Sequence, residues 1–320
     1  MNAAENMNVL SAMLLLEELR RCDLCHVVLC PGSRSAPLAI ALSRSGLPHT
    51  IALDERGAGF MAVGLARASG RAAAVIVSSG TAVVNLHPAA VEAGQDHVPM
   101  VLLTADRPPE LRDTKANQTI DQVGLISGGV LRWFKDMPCP EANAPLEPLL
   151  ADASYAMARA HGCSSCPAGP VHLNIMFREP LSPKPVPWPA GPLRTPRLAT
   201  WIRSARPFTS YSRPIPGPAA VIDGGITQLV ALFSGARRGV VVAGALRTDA
   251  ERLAVAALSS RLGWPVLPDI GSGLRNDRHT LHDAPIVPLI DLLLAARPLV
   301  GLLAPDVVLQ VGGRIVGQRL

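Results

Sequence analysis

"HVVLCPGSRSAPLAIALSRSG", residues 26–46, runs from a short unbroken apolar segment through a polar turn bearing Pro and Gly into a second apolar-rich segment. The first segment predicts a buried strand, and the second a helix that starts near Pro37. A plain turn needs Gly or Pro for its dihedrals, but it has no use for an arginine between two hydroxyls. Ser33-Arg34-Ser35 therefore marks this strand end as a place where something is bound.

The same rhythm extends in both directions. From Met7 to Arg20 apolar residues recur at helical spacing (Leu10, Met13, Leu14, Leu16). Downstream, "HTIAL" precedes a helix from about Glu55 to Ala68, and "AAVIVSS" precedes one from about Ala82 to Ala93. "VPMVLLTA" then leads into a polar loop, and "GPVHLNI" is a further candidate strand. Continuous apolar strands alternating with amphipathic helices imply an α/β fold, a parallel sheet covered on both faces. Residues 182–218 are rich in proline with little periodicity and read as a linker extended over the surface. Beyond it "GVVVAG", a helix from about Thr248 to Leu262, "WPVLPD", a helix around Pro288 to Ala296 and "DVVLQVGG" predict a second doubly wound domain. The expected organisation is a first domain over 1–181, the linker over 182–218, and a second domain over 219–320. That second domain reads as truncated, lacking its final helix and strand, and the sequence as a piece of a longer chain.

The composition narrows the function. The chain has 320 residues, 48% of them hydrophobic and 17% charged, which fits a folded protein. Its 30 Lys+Arg against 25 Asp+Glu are scattered, and five Phe, four Trp and two Tyr are few for stacking bases, so nucleic-acid binding gains little support. A dispersed arginine excess suits a small anionic substrate. No apolar run approaches the ~20 residues needed to cross a bilayer, and acids stand near the N-terminus where a signal peptide carries bases. Two CxxC pairs occur, Cys22/Cys25 and Cys163/Cys166, and "CDLCH" matches the haem-attachment pattern. Because Cys25 and His26 lead straight into an apolar strand, the haem match reads as accidental. A zinc site shared by the pairs needs the fold to join them, and reduced thiols are the simpler reading. The fingerprint G-x-G-x-x-G is absent after "VVVAG", which argues against a dinucleotide site.

In open α/β sheets ligands bind outside the carboxyl ends of the strands. Four successive ends carry polar groups: Ser33-Arg34-Ser35, Asp54-Glu55-Arg56, Ser78-Ser79-Gly80-Thr81 and Asp106-Arg107. Each has a bland account: Ser33 or Ser35 caps a helix, Gly80-Thr81 opens one, Glu55 is a first-turn acid, and Arg107 is a surface residue held by Glu110. Those accounts leave unexplained the coincidence of four loops with the amide-rich "ANQTIDQ" at 116–122. Glu55 stands between an apolar strand and a Gly/Ala-rich helix, where desolvation would favour its protonated form and fit it to exchange a proton with a ring nitrogen.

"CPGSRSAPLA", "LDERGAGFMAVGLA", "VSSGTAVVNLHPA", "LLTADRPPELRDTKANQTIDQ" and "GPVHLNIMFREPL" closely resemble the amino-terminal half of the 2-succinyl-5-enolpyruvyl-6-hydroxy-3-cyclohexene-1-carboxylate synthase family of thiamine-diphosphate enzymes. They also resemble the matching module of the plant and algal PHYLLO protein. The likeness continues more weakly through the second domain. It implies a pyrimidine-binding domain followed by a Rossmann-like middle domain, and decarboxylating carboligation of 2-oxoglutarate with isochorismate in menaquinone or phylloquinone synthesis. It implies that Glu55 contacts N1′ of the aminopyrimidine, with Ser78, Gly80 and Thr81 near that ring. It places Ser33, Arg34, Arg107, Asn117, Gln118 and Arg319 at the substrate carboxylates.

The resemblance further implies thiamine diphosphate with Mg²⁺, the metal's ligands lying in a carboxyl-terminal domain with a Gly-Asp-Gly segment, and a homo-oligomer in the bacterial cytoplasm or a plastid. No such domain occurs in these residues, so the chain by itself is expected to have negligible turnover. Val84 stands where the family usually has alanine, and Gln318 where a lysine is common. Three other readings stay open: a carboligase of the acetolactate synthase type, a non-catalytic interaction module that keeps the fold, and, last, a dinucleotide-binding protein.

Overall fold

The structure is a computed structural model that describes residues 4–126, 129–163, 166–189, 191–211, 223–276, 284–296, 298, 300–301 and 304–320. The chain divides into two compact units, Met1–Pro214 and Ile215–Leu320. Each is an α/β unit built on a parallel sheet.

The first unit begins with α1 (Met7–Arg21), whose N-cap Asn6 accepts a hydrogen bond from the Val9 amide. The chain continues through β1 (Leu24–Leu29), α2 (Ala36–Ser45), β2 (His49–Ile51), α3 (Glu55–Ser69), β3 (Ala72–Val77), α4 (Thr81–Val84), α5 (His87–Gln95) and β4 (Met100–Asp106). After the loop that carries "ANQTIDQ" come β5 (Trp133–Met137), α6 (Glu147–His161), β6 (Pro170–Met176) and α7 (Pro196–Arg203). All strand pairs are parallel, in the order β2-β1-β3-β4-β6-β5. Strands β3, β4 and β6 are buried along their whole length, as continuous apolar runs require when helices cover both faces. One face is packed by Leu15, Leu16 and Leu19 of α1 with Leu38 and Leu42 of α2, and the other by Ala62 and Val63 of α3 with Ala89 and Ala90 of α5. Each fully buried leucine of this kind contributes roughly 1.5–3 kcal/mol.

Three local departures from the sequence reading have clear causes. The helix expected over Ala82–Ala93 is two helices, α4 and α5, because Pro88 sits in the first turn of α5 and has no N–H to continue the ladder. Strand β5 was not foreseen. It lies at the sheet edge and is only half-buried, so Lys135 and Asp136 break its apolar pattern. Within 182–218, the first part is extended but tied down: the Asn6 carboxamide donates to the carbonyls of Ser182 and Lys184, and the Val186 amide donates to Glu5 O. Its middle forms α7, with Leu198 and Trp201 buried against Leu10, Leu14 and Leu150. Residues 212–218 lie outside the described residues.

The Glu18 carboxylate, wholly buried in α1, anchors this last part. It accepts from Ser154 Oγ at 2.5 Å, Trp201 Nε1 at 2.6 Å and the Phe208 amide at 2.8 Å. A buried carboxylate is tolerated because donors surround it.

The second unit contains α8 (Asp223–Gly235), β7 (Gly239–Ala243), α9 (Asp249–Leu262), β8 (Val266–Pro268), the short α10 (Ile290–Leu293) and β9 (Val307–Val311). Its sheet is parallel in the order β8-β7-β9. A reciprocal capping box between Thr248 and Glu251 starts α9, as its sequence position after the strand requires. The expected helix around Pro288–Ala296 is the single turn α10.

Candidate active site

The carboxyl ends of β1, β3 and β4 meet on one side of the first unit's sheet, and two arginines converge there. Arg107 follows β4, its own amide held by Asp106 Oδ1 at 2.7 Å. Its Nη1 donates to Ser79 Oγ and, at 2.7 Å, to the Gln118 carbonyl. Arg34 follows β1, and its Nη1 donates to the Phe177 carbonyl at 2.9 Å. Both arginines are only 8% exposed. Burial, and then the like charge of Arg34, hold the Arg107 guanidinium below its ordinary pKa. Among the described residues the one carboxylate within ion-pair distance of either is the mostly exposed Glu179, 3.6 Å from Arg34 Nη2. Arg34 Nε is buried with no hydrogen-bond partner. Two desolvated guanidiniums with so little countercharge and an orphaned donor fit a carboxylate-bearing ligand.

The amide-rich loop folds back onto the β3 end. Gln118 is exposed, yet its Nε2 donates to the Ser79 carbonyl at 2.9 Å. Gly80 has φ 77° and ψ −136°, a region essentially closed to other residues, and a Cβ there would meet Gln118 Cγ at 2.9 Å. Its amide donates to Gln122 Oε1 at 2.8 Å. Ser78 is buried, Thr81 and Asn117 are exposed, and Ser33 is exposed on the turn before Arg34. Ser35 does not cap α2; its hydroxyl donates back to the Gly32 carbonyl at 3.1 Å. Arg107 is no surface residue held by Glu110 either, because Glu110 pairs with Arg178.

Glu55 is the first residue of α3, whose N-cap Asp54 accepts from the amides of Arg56 and Gly57. Its Oε2 accepts from Asn85 Nδ2 at 3.3 Å. The expected seclusion is not built by this unit. Glu55 is half-buried, Asp54 and Arg56 are exposed, and Leu53, Phe60 and Met61 point outward at 96%, 48% and 42% exposure. The small residues of α3 that suggested a dry shell, Ala58 and Ala62, face the sheet instead. The Arg56 guanidinium holds the Asp54 carboxyl down at about 2. The negative charge of Glu55 reaches Cys30, whose thiol burial pushes up to about 11, with Glu55 and Asp54 adding to the rise. The site thus has two parts: an arginine part made by Arg34, Arg107 and Gln118, and an acid part made by Glu55 and Asn85. Arg319 belongs to the second unit and is exposed in its final turn after β9.

A buried polar network behind the arginines was missed as such. Thr104 Oγ1 donates to Asn174 Oδ1 at 2.9 Å and accepts from His172 Nε2 at 2.7 Å, which leaves the neutral ring's Nδ1 as the orphaned acceptor. Burial drives the His172 pKa down to about 4. Asn174 Nδ2 donates to Asp106 and Asp136, and Arg112 bridges the same two carboxylates. Gln122 Nε2 completes the set, donating to Asn174 Oδ1 at 2.7 Å and to the Ala105 carbonyl at 3.2 Å. The signal was present in the sequence. Thr104 and Asp106, and likewise His172 and Asn174, are polar residues spaced by two inside apolar strands, so each pair shares one face of its strand.

Among the described residues no group of three or more His, Cys, Asp or Glu is arranged to hold a metal ion. The two CxxC pairs do not share one, and no described helix is long and apolar enough to cross a membrane.

Residues 11–125 match the family model described as thiamine pyrophosphate enzyme, N-terminal TPP binding domain, and residues 195–320 match the middle domain of thiamine pyrophosphate enzymes. The chain is 46% identical, over 98% of its length, to the 2-succinyl-5-enolpyruvyl-6-hydroxy-3-cyclohexene-1-carboxylate synthase of Rubrobacter xylanophilus, of which it covers 52%. It is 43% identical over 99% of its length to the same-named protein of Salinibacter ruber, again covering 52%. To the chloroplastic protein PHYLLO of Arabidopsis thaliana it is 38% identical over 98% of its length, covering 18% of that protein. The chain spans about half the length of the curated synthases it matches.

Proposed function

Because the chain belongs to the thiamine pyrophosphate enzymes and carries their N-terminal and middle domains, we propose that it serves the decarboxylating carboligation of 2-oxoglutarate with isochorismate, within an enzyme of its relatives' length. Thiamine diphosphate, when bound, supplies a ring carbanion and the electron sink that decarboxylation needs. The chain's own residues do the rest. Glu55, presented by the start of α3 and oriented by Asn85 Nδ2, would exchange a proton with N1′ of the aminopyrimidine. Ser78, Gly80 and Thr81 line the same ring. Arg34 and Arg107 bind and orient the substrate carboxylates, with Ser33, Asn117 and Gln118 at their mouth and Arg319 as a further anion contact.

The observation that carries this reading is the pair of buried guanidiniums, one with an unpartnered Nε, met among the described residues by one mostly exposed carboxylate. The donor set suits a dicarboxylate better than the neutral or monocarboxylate substrates of an acetolactate-type carboligase. The exposed Leu53, Phe60 and Met61 beside Glu55 support a homo-oligomer in which a second copy completes the dry shell around the acid. Mg²⁺ would be held by ligands in the carboxyl-terminal part that the relatives have and this chain does not span.

The test joins this chain to the second half of a curated relative and assays carboligation. Glu55→Gln keeps the Asn85 contact but cannot hold the proton. It should lower kcat about 10²-fold or more, with the circular dichroism unchanged. Arg34→Met should raise KM for the dicarboxylates before it alters kcat. Unchanged turnover in Glu55→Gln overturns the role of that residue, and unchanged KM in Arg34→Met overturns the substrate assignment.

A further inference from the structure

The two CxxC pairs have the same spacing, and the fold treats them oppositely. Cys22 packs with the α1 side of the sheet, its thiol donating to Glu18 Oε1 at 3.4 Å, while Cys25 packs with the α3 side, against Ser69 Oγ. Those two sulfurs face different layers of the unit. Cys163 and Cys166 instead pair directly with each other, as an antiparallel bridge between α6 and β6. The Cys163 amide donates to the Cys166 carbonyl at 2.7 Å, and the Cys166 amide returns a bond to the Cys163 carbonyl at 3.1 Å. A reciprocal pair of this kind sets the two Cα atoms about 5.5 Å apart, inside the ~4.4–6.8 Å that a disulfide spans.

The frame around the turn is held independently of the sulfurs. Gly162 takes φ 75°, and a Cβ there would lie 2.5 Å from the Ala168 amide nitrogen and 2.6 Å from the Cys166 carbonyl oxygen, so the chain can fold this tightly only through glycine. The Gly162 amide caps α6 through Ala158 O, and the Gly169 amide bonds Ala160 O. Arg132 Nε clamps the carbonyls of Pro167 and Ala168 from outside. Arg159 Nη1 donates to Cys166 Sγ at 3.7 Å, which places a cation beside that sulfur. Cys163 is exposed and Cys166 half-buried.

We propose that Cys163 and Cys166 form a reversible disulfide by exchange with a low-molecular-weight disulfide, for which glutathione disulfide is the probe. The exposed Cys163 thiolate attacks one sulfur of that disulfide, forming a mixed disulfide and releasing one glutathione thiolate. Cys166, held by Arg159, then attacks the Cys163 sulfur, closing the Cys163–Cys166 bond and expelling the second glutathione. The two cysteines lose two protons and two electrons, and one glutathione disulfide becomes two glutathione thiols. The link fixes the turn that delivers β6, the strand carrying His172 and Asn174.

The experiment equilibrates the full chain in glutathione buffers of stepped oxidised-to-reduced ratio, alkylates the remaining thiols and maps the products by peptide mass. The expected result is one Cys163–Cys166 link per chain at high ratio, with the other four cysteines alkylated after unfolding, and reopening when reduced glutathione is restored. Cys166→Ser should trap glutathione on Cys163, whereas Cys163→Ser should leave Cys166 mostly as thiol; Arg159→Gln should slow closure severalfold. Circular dichroism of each variant controls for folding. Both thiols staying alkylatable across the series, or a link that maps to Cys22–Cys25 or between chains, overturns the proposal.

Discussion

Replacing Gln122 by alanine probes how the site loops are held, because this side chain, 1% exposed, bonds Gly80, Ala105 and Asn174 together. The substitution orphans the buried Gly80 amide, which costs about 1–3 kcal/mol, and removes two further hydrogen bonds worth about 1 kcal/mol each. Asn174 Oδ1 is not orphaned, since Thr104 Oγ1 still donates to it. A destabilisation of about 3–5 kcal/mol is therefore expected, read from the urea midpoint of the first unit by tryptophan fluorescence. Hydrogen exchange gives the local readout: amide protection should fall over residues 78–86 while β6 keeps its own. Gln122→Glu sharpens the test. It retains the acceptor for Gly80 but turns a lone pair toward the Ala105 and Asn174 oxygens, so it should cost at least as much as alanine. A loss below about 0.5 kcal/mol in Gln122→Ala, with unchanged protection at Gly80, would refute the idea that this amide holds the loops.

Three further outcomes follow from other buried groups. His172 has a folded pKa of about 4 against an ordinary value of 6.5, so the unfolded chain binds the extra proton between those values. Stability should accordingly be full above about pH 6.5 and fall by about 3 kcal/mol as the pH drops to 4. A urea series across that range checks it, and His172→Gln should flatten the slope; an equally steep slope in the variant would discount this histidine. Glu18→Ala strands the Trp201 Nε1 and Phe208 amide donors, while Ser154 Oγ keeps its bond to the Leu150 carbonyl at 2.9 Å, which should cost about 2–3 kcal/mol and shift Trp201 emission as α7 detaches. An unaltered emission maximum would argue against the anchoring role. Gly80→Ala forces a Cβ into a left-handed turn against Gln118 and should cost about 2 kcal/mol in a melting experiment, with neutral behaviour as the contrary result.

Much of this protein was legible in its residues before any coordinate was known. Unbroken apolar runs such as "AAVIV" and "VPMVLL", short and bounded by polar turns, read as strands covered on both faces, and the helices between them call for parallel connections. Because ligands gather at the carboxyl ends of such strands, the polar turns at Arg34, Gly80 and Arg107 could be grouped from the one-dimensional order alone. Local chemistry of this kind depends on neighbours within a few positions, which a sequence contains in full.

What needed the tertiary structure were relations between residues far apart in the chain. Gln118 and Gln122 read only as an amide-rich loop until their contacts with Ser79, Gly80 and Asn174 were seen. Glu55 was expected to be dry because its helix is rich in glycine and alanine; a helix has two sides, and the side that would dry it faces outward here. Two CxxC motifs of equal spacing diverge for a related reason. One spans the junction of a helix and a strand, whose side chains leave on opposite faces of the sheet, and the other pairs its two residues level in an antiparallel bridge. Periodicity assigns each residue to an element, but direction and partner are set only when the elements pack.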